Sequence, residues 1–321
     1  MRTSALGSLP GTDLGAGVRL ALEAVSVPWL PEFPARGPWA GMVGRALGLL
    51  EGIGAELVAG EWRLASVPGL DQRRARAALR DDLDVLEENA QGLTGPLKIA
   101  VTGPWTLTAS VLRPLGGRVL GDRGARRDLA QSLAAGIADL VADVERRLPG
   151  VAVLRQVDEP SLPAVLAGRV PTEGGYFRHR SVDRPEAVEL LREVGGDVLH
   201  CCAPGLDLEL AIGRHGAGFG GVSLDQDLIT PSDWDSLGGL LEDGKELWLG
   251  VAPTASGVAP TADALTRRAL AVLRPLELGP VLTERVVLTP ACGLAGWPAP
   301  QVSALLRALA TTAERMTDEL R

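Results

Sequence analysis

Eight short runs rich in Val, Ile and Leu recur along the chain, and helical segments separate them. The runs are Ser4–Leu9, Glu56–Ala59, Leu97–Thr102, Val151–Val157, Asp197–Cys201, Gly221–Leu224, Leu247–Ala252 and Arg285–Thr289. Their near-continuous apolar character suits parallel strands buried on both faces. The intervening segments read as helices at Gly37–Gly52, Leu70–Ala90, Asp122–Leu148, Arg184–Val194, Ser232–Glu242, Thr261–Leu273 and Ala299–Leu320. In Asp122–Leu148, the residues Leu129, Leu133, Ile137, Leu140, Val141 and Val144 share one stripe, as a helix packed on a sheet requires. Eight strands alternating with helices over 321 residues predict an α/β fold, a (β/α)8 (TIM) barrel in one domain over 1–321. A doubly wound open sheet is the alternative, because a strand count does not establish closure. Trp62–Ala65 competes with Glu56–Ala59 for the second strand.

Several function classes are excluded by composition. With 32 basic and 40 acidic side chains and no basic cluster, nucleic acid is not an expected partner. Met1–Gly11 has no apolar stretch of signal-peptide type. The longest uncharged window, Val286–Leu306, is interrupted by Pro290, Pro298 and Pro300, so no membrane-spanning helix is expected there. A soluble, cytoplasmic protein follows as the expectation. Three cysteines, an odd number, argue against a disulfide framework.

In a barrel, reactive residues gather at the carboxyl ends of strands. The rare residue types fall there: Leu199-His200-Cys201-Cys202, Ser223-Leu224-Asp225, and Thr289-Pro290-Ala291-Cys292-Gly293. Thiolate sulfur and imidazole nitrogen are donors that Zn²⁺ prefers in a tetrahedral shell. His200 and Cys202 are two apart in an extended segment and point the same way, with Cys292 and Asp225 on other strand ends. Packing is the competing reading, since free cysteine is among the most buried residue types. Asp158-Glu159-Pro160 is read in two ways: as a helix cap, or as a rim carboxylate pair for a substrate ammonium or proton transfer. Gly7-Ser8-Leu9-Pro10-Gly11 forms a turn whose N–H groups suit a carboxylate, while His179 and His215 read as solvated.

Together these residues resemble the catalytic barrel of the cobalamin-independent methionine synthases. The motifs are Gly7-Ser8-Leu9-Pro10, Gly103-Pro104-Trp105-Thr106, Gln156-Val157-Asp158-Glu159-Pro160, His200-Cys201-Cys202 and Pro290-Ala291-Cys292-Gly293-Leu294, in the family's order along nearly the whole chain. The resemblance implies a zinc methyltransferase of methionine biosynthesis, acting on homocysteine. It implies zinc held by His200, Cys202 and Cys292, with Asp225 standing where the family has a glutamate ligand. Asp158 then matches the aspartate that takes the homocysteine amino group, with Glu159 beside it, and Ser8 lies where the substrate carboxylate is held. The family's second amine-binding glutamate falls near Glu61. Zinc turns the thiol into a thiolate nucleophile at neutral pH, and this attacks an activated methyl group.

Departures from the family concern the donor. The folate-stacking tryptophan aligns with Ala109, and Val251-Ala252-Pro253-Thr254 lacks the family's proton-donating histidine. With the chain read as a short single-barrel form, the expected donor is a methylcorrinoid or corrinoid protein, ahead of methyltetrahydrofolate. Two rival readings remain. A uroporphyrinogen-decarboxylase-like lyase would need basic groups at the mouth, for which Arg178-His179-Arg180 is the candidate. A non-catalytic zinc- or thiol-binding relative would keep the ligands without turnover.

Overall fold

A computed structural model describes residues 1–320. In chain order the strands and helices are β1 (Arg2–Thr3), α1 (Leu14–Glu23), α2 (Met42–Leu49), β2 (Gly54–Val58), β3 (Glu61–Ala65), α3 (Leu70–Asn89), β4 (Gly95–Thr102), α4 (Pro104–Ser110) and α5 (Arg123–Arg147). They continue with β5 (Val151–Asp158), α6 (Leu162–Leu166), α7 (Arg184–Val194), β6 (Val198–Cys201), α8 (Leu208–Ile212), β7 (Gly221–Asp225) and α9 (Trp234–Glu242). The chain ends in β8 (Glu246–Ala252), α10 (Ala262–Leu273), α11 (Pro280–Arg285), β9 (Val286–Pro290) and α12 (Ala299–Glu319).

Seven strands form one curled parallel sheet in the order β1-β9-β8-β7-β6-β5-β4. From β4 to β9 each strand lies beside its sequence neighbour, and helices carry the chain back between them. All loops that follow the strands therefore emerge at one end of the sheet. The strand interiors are mostly closed to water: Leu247, Trp248, Leu249 and Val251 of β8 are each fully buried, whereas the start of β5 is covered less, with Ala152 exposed. Several helix starts are fixed by aspartates: Asp13, Asp122 and Asp183 accept from the N–H three residues on, at 2.9, 3.1 and 3.0 Å.

The expected second strand is corrected. Glu56–Ala59 does not join the parallel sheet; Gly54–Val58 pairs antiparallel with Glu61–Ala65 in a separate hairpin. Between β1 and β4 lies instead the segment 26–32. On one side Val27 N–H donates to Thr3 O at 2.9 Å, and Leu9 N–H to Glu32 O at 2.8 Å. On the other, Leu30 N–H donates to Lys98 O at 2.9 Å and Lys98 N–H to Pro28 O at 2.8 Å. Pro28 and Pro31 each remove one ladder donor, which leaves isolated bridges in place of a continuous strand. The first strand is likewise shorter than its apolar run. Its ladder to β9 covers Arg2 and Thr3, and Ser8 bridges to Glu32 instead.

Candidate active site

The strand ends are laced together by backbone bonds beyond the sheet. Gly103 N–H donates to Asp158 O at 2.9 Å, Glu159 N–H to His200 O at 2.8 Å, and Leu294 N–H to Ser8 O at 2.8 Å. These bonds bring the β1, β5, β6 and β9 ends around one cavity of ≈ 370 Å³. Ser8, Glu32, Asp158, His200, Cys202 and Cys292 all line it. Close approach is demanded at Gly293, where an added Cβ would lie 2.1 Å from Ser8 Oγ.

Three soft or borderline donors converge at one side. One ligand atom each of His200, Cys202 and Cys292 lie within 4.8 Å of one another, and the two sulfurs are 3.5 Å apart. Tetrahedral zinc with bonds of about 2.3 Å to sulfur and 2.0 Å to nitrogen needs separations of this order. His200 is buried, and its Nδ1 meets Ser223 Oγ at 3.0 Å. That contact occupies Nδ1 and fixes the ring, as partners of metal-bound imidazoles do, and leaves Nε2 for the cysteine pair or a metal. The donor set thus fits a zinc ion. Cys292 is pushed well below the ordinary thiol range, because the Cys202 thiol and then His200 hydrogen-bond to its sulfur. Cys202, donating to that sulfur and partly buried, is pushed up. Cys201 faces the opposite way, fully buried against Ala203 O, and burial pushes it up to about 12. It is a packing thiol.

Asp225 is not one of the converging donors. It ends β7, and its Oδ1 accepts from Asp227 N–H at 2.9 Å, capping a short 3-10 turn.

Asp158 and Glu159, expected as a pair, are separated by the strand's alternation. Asp158 lies in the cavity wall, and Glu159 is fully buried outside it. The Glu159 carboxylate accepts from Trp105 N–H at 2.8 Å, and from Thr106 N–H and Oγ1 at 2.7 Å each. Gly103 makes room, since a Cβ there would lie 2.4 Å from Glu159 Oε1. Burial pushes Glu159 up to about 7 against these three donors. Its place is thus the cap of α4, which corrects its expected role as a substrate ligand. Glu159→Gln puts an amide donor against Thr106 N–H. We expect a loss of about 2 kcal/mol and several degrees in Tm by thermal melt, with bound zinc unchanged. A melt equal to the wild type would contradict the capping role.

The carboxylate that does face Asp158 is Glu32. It is buried, lines the cavity and pairs with Arg45 at 3.2 Å, which in turn holds Asp82 at 2.6 Å. Burial raises the pKa of Glu32 and of Asp158, and the Asp158 charge raises Glu32 further. Two carboxylates that line one cavity, one raising the pKa of the other, are chemically suited to a cation. Glu61, the expected second carboxylate, is exposed on β3 and is not among the residues that line this cavity. Glu32 had a signal in the sequence: it is the sole charged residue between Ser26 and Ala35. His215 is exposed as expected, whereas His179 is half-buried, with its pKa lowered by burial and by Arg118.

A family model described as "Cobalamin-independent synthase, Catalytic domain" matches residues 84–315. The chain belongs to that family. It is therefore a methyltransferase, and the decarboxylase reading is left without support. The match takes in Asp158, His200, Cys202 and Cys292, while Ser8 and Glu32 precede it. Zinc is the metal of this synthase family, and the three-donor group here is able to hold one. The fold is similar to that of a B12-independent methionine synthase from Shewanella sp. W3-18-1, solved in complex with selenomethionine. The two chains are 16% identical with a TM-score of 0.63, over 99% of this chain and 98% of that one. A search of curated proteins finds no match. Among the described residues, no helix is long and apolar enough to cross a membrane.

Proposed function

We propose that this synthase transfers a methyl group to the thiol of homocysteine to give methionine, with methyltetrahydrofolate as the donor. The observation that carries this reading is the spacing of two unlike sites in one cavity. The His200–Cys202–Cys292 group suits a metal that binds sulfur, and the Asp158–Glu32 pair suits an ammonium. Homocysteine carries a thiol and an ammonium a few bonds apart. Electrostatics tie the two ends together, because His200 lowers and Cys292 raises the pKa of Asp158. The Shewanella protein's complex with selenomethionine, a product-like amino acid, supports the same class of ligand.

Zinc, when bound by His200, Cys202 and Cys292, supplies a coordination position that keeps a substrate thiol ionised at neutral pH. The chain's own residues do the rest. Asp158 and Glu32 hold the ammonium, the Ser8 turn receives the carboxylate, and the strand-end bonds fix their mutual distances. A sulfur–carbon bond forms as the donor's nitrogen–carbon bond breaks, and the thiol proton ends on the released nitrogen. The same reading takes the fold as a closed (β/α)8 barrel in which 26–32 is the second strand. Its backbone bonds to both β1 and β4 support this.

Three protein ligands and one open position is the pattern of catalytic zinc. Asp225→Ala is therefore expected to retain about one zinc per chain by elemental analysis, as three ligands suffice. Loss of the metal would make Asp225 a ligand.

The corrinoid donor expected from the sequence finds no support in a family described as cobalamin-independent. One observation still favours it as the second reading: Ala109, at the family's stacking position, is a small buried residue of α4. The test is methionine formation, followed by mass spectrometry, from homocysteine with methyltetrahydrofolate or with methylcobalamin on zinc-loaded protein. Product from methyltetrahydrofolate is expected. Product from methylcobalamin alone would establish the second reading, and product from neither would contradict methyl transfer to homocysteine.

A further inference from the structure

Beneath the two cleft carboxylates lies a buried cation that the reaction above does not use. Lys98, in the middle of β4, is fully buried, a placement tolerated only when the charge is paired. Its Nζ donates to Gln156 Oε1 at 2.5 Å and to Leu6 O at 3.3 Å, and stands 6.0 Å from the Trp248 ring centre. Gln156 is equally buried and extends the contact. Its Nε2 donates to Asp158 Oδ1 at 2.7 Å and to Leu6 O at 2.8 Å.

The direction of this chain is set by chemistry. An ammonium only donates and an ionised carboxylate only accepts, so the Gln156 oxygen must face Lys98 and its nitrogen Asp158. One cation thereby fixes two walls of the cavity: Leu6, which leads into Gly7–Ser8, and Asp158 at the end of β5. Its backbone ties a third, since Lys98 pairs with Pro28 and Leu30 of the segment that carries Glu32. Burial pulls Lys98 down to about 8 while the Asp158 and Glu32 charges pull it up, so it remains charged at neutral pH.

We propose that Lys98 is a positioning residue for the methyl acceptor: through Gln156 it aims the Asp158 carboxylate, and so gives the cleft its preference for a thiol that also carries an amino group. This rests on the homocysteine reading. Des-amino homocysteine (mercaptobutanoate) keeps the thiol and the carboxylate and lacks only the group that Asp158 would hold. The experiment is calorimetric titration of zinc-loaded wild type, Lys98→Met and Gln156→Glu with both ligands. Lys98→Met keeps length and volume but cannot hold Gln156. Gln156→Glu still pairs with Lys98 but replaces the donor to Asp158 with a second carboxylate oxygen.

In both variants we expect homocysteine to bind about tenfold more weakly and mercaptobutanoate to change less than about twofold, with zinc retained. A merely structural role weakens both ligands alike. Wild-type preference for homocysteine that survives in the variants would overturn the role of Lys98 and leave the homocysteine reading standing. A wild type without that preference would overturn both. Should Lys98→Met fail to melt cooperatively, the ratio in Gln156→Glu decides alone.

Discussion

Cys292→Ser is expected to strip the protein of zinc and to reduce methyl transfer to background. Cys292 is the donor most easily ionised in the site, held low by hydrogen bonds from Cys202 and His200. A serine hydroxyl stays protonated at neutral pH and is a harder, poorer ligand. Zinc bound to a full set of protein ligands is worth about 10–16 kcal/mol, so losing one ligand costs roughly 3–4 kcal/mol, two to three orders of magnitude in affinity. Elemental analysis after dialysis against a mild chelator reads the result: about one zinc per wild-type chain and almost none in the variant. Unchanged metal content would remove Cys292 from the site. Cys201→Ser, in the same assay, should keep its zinc, because that thiol faces Ala203 O in the core.

Asp158→Asn carries the second large effect, and it falls on the other end of the substrate. The amide keeps the size of the side chain but cannot neutralise an ammonium. Truncating one partner of a buried charged contact costs about 2–4 kcal/mol, so homocysteine affinity should drop by a factor of roughly 30–1000 while zinc stays bound. Glu32, paired with Arg45, remains to hold part of the charge. Equal affinity in the variant would sink the ammonium contact. Loss of zinc would instead show that Asp158 acts on the metal group.

Much of this arrangement was legible in the sequence where a rare residue type met a strong pattern. The strands β4 to β9 match their apolar runs to within two residues at either end, because parallel strands covered on both faces are built mainly from apolar side chains. Three cysteines in 321 residues, all on predicted strand ends together with His200, made the metal group visible. The second strand position was hidden by Pro28 and Pro31, which break the apolar signal and the hydrogen-bond ladder alike. Glu56–Ala59 looked like a strand and is one, but its partner Glu61–Ala65 is local and antiparallel. The Asp158–Glu159 pair was misjudged because neighbours on a strand face opposite ways. That rule assigns only one of them to the cavity, and it does not say which. Glu32 escaped because its carboxylate comes from the same proline-broken segment, and Lys98 because a lysine inside an apolar run gives no hint of its partner. Gln156 supplies that partner across the sheet.

Zinc-edge X-ray absorption on the holoprotein, before and after homocysteine, tests the joint metal and substrate site most directly. Sulfur at about 2.3 Å and nitrogen or oxygen near 2.0 Å are resolved as separate shells. The sulfur shell should grow from the two thiolates of Cys202 and Cys292 to three, with loss of one lighter ligand. A shell that stays at two sulfurs in the presence of saturating homocysteine would show that the thiol does not reach the metal, and would contradict its activation there.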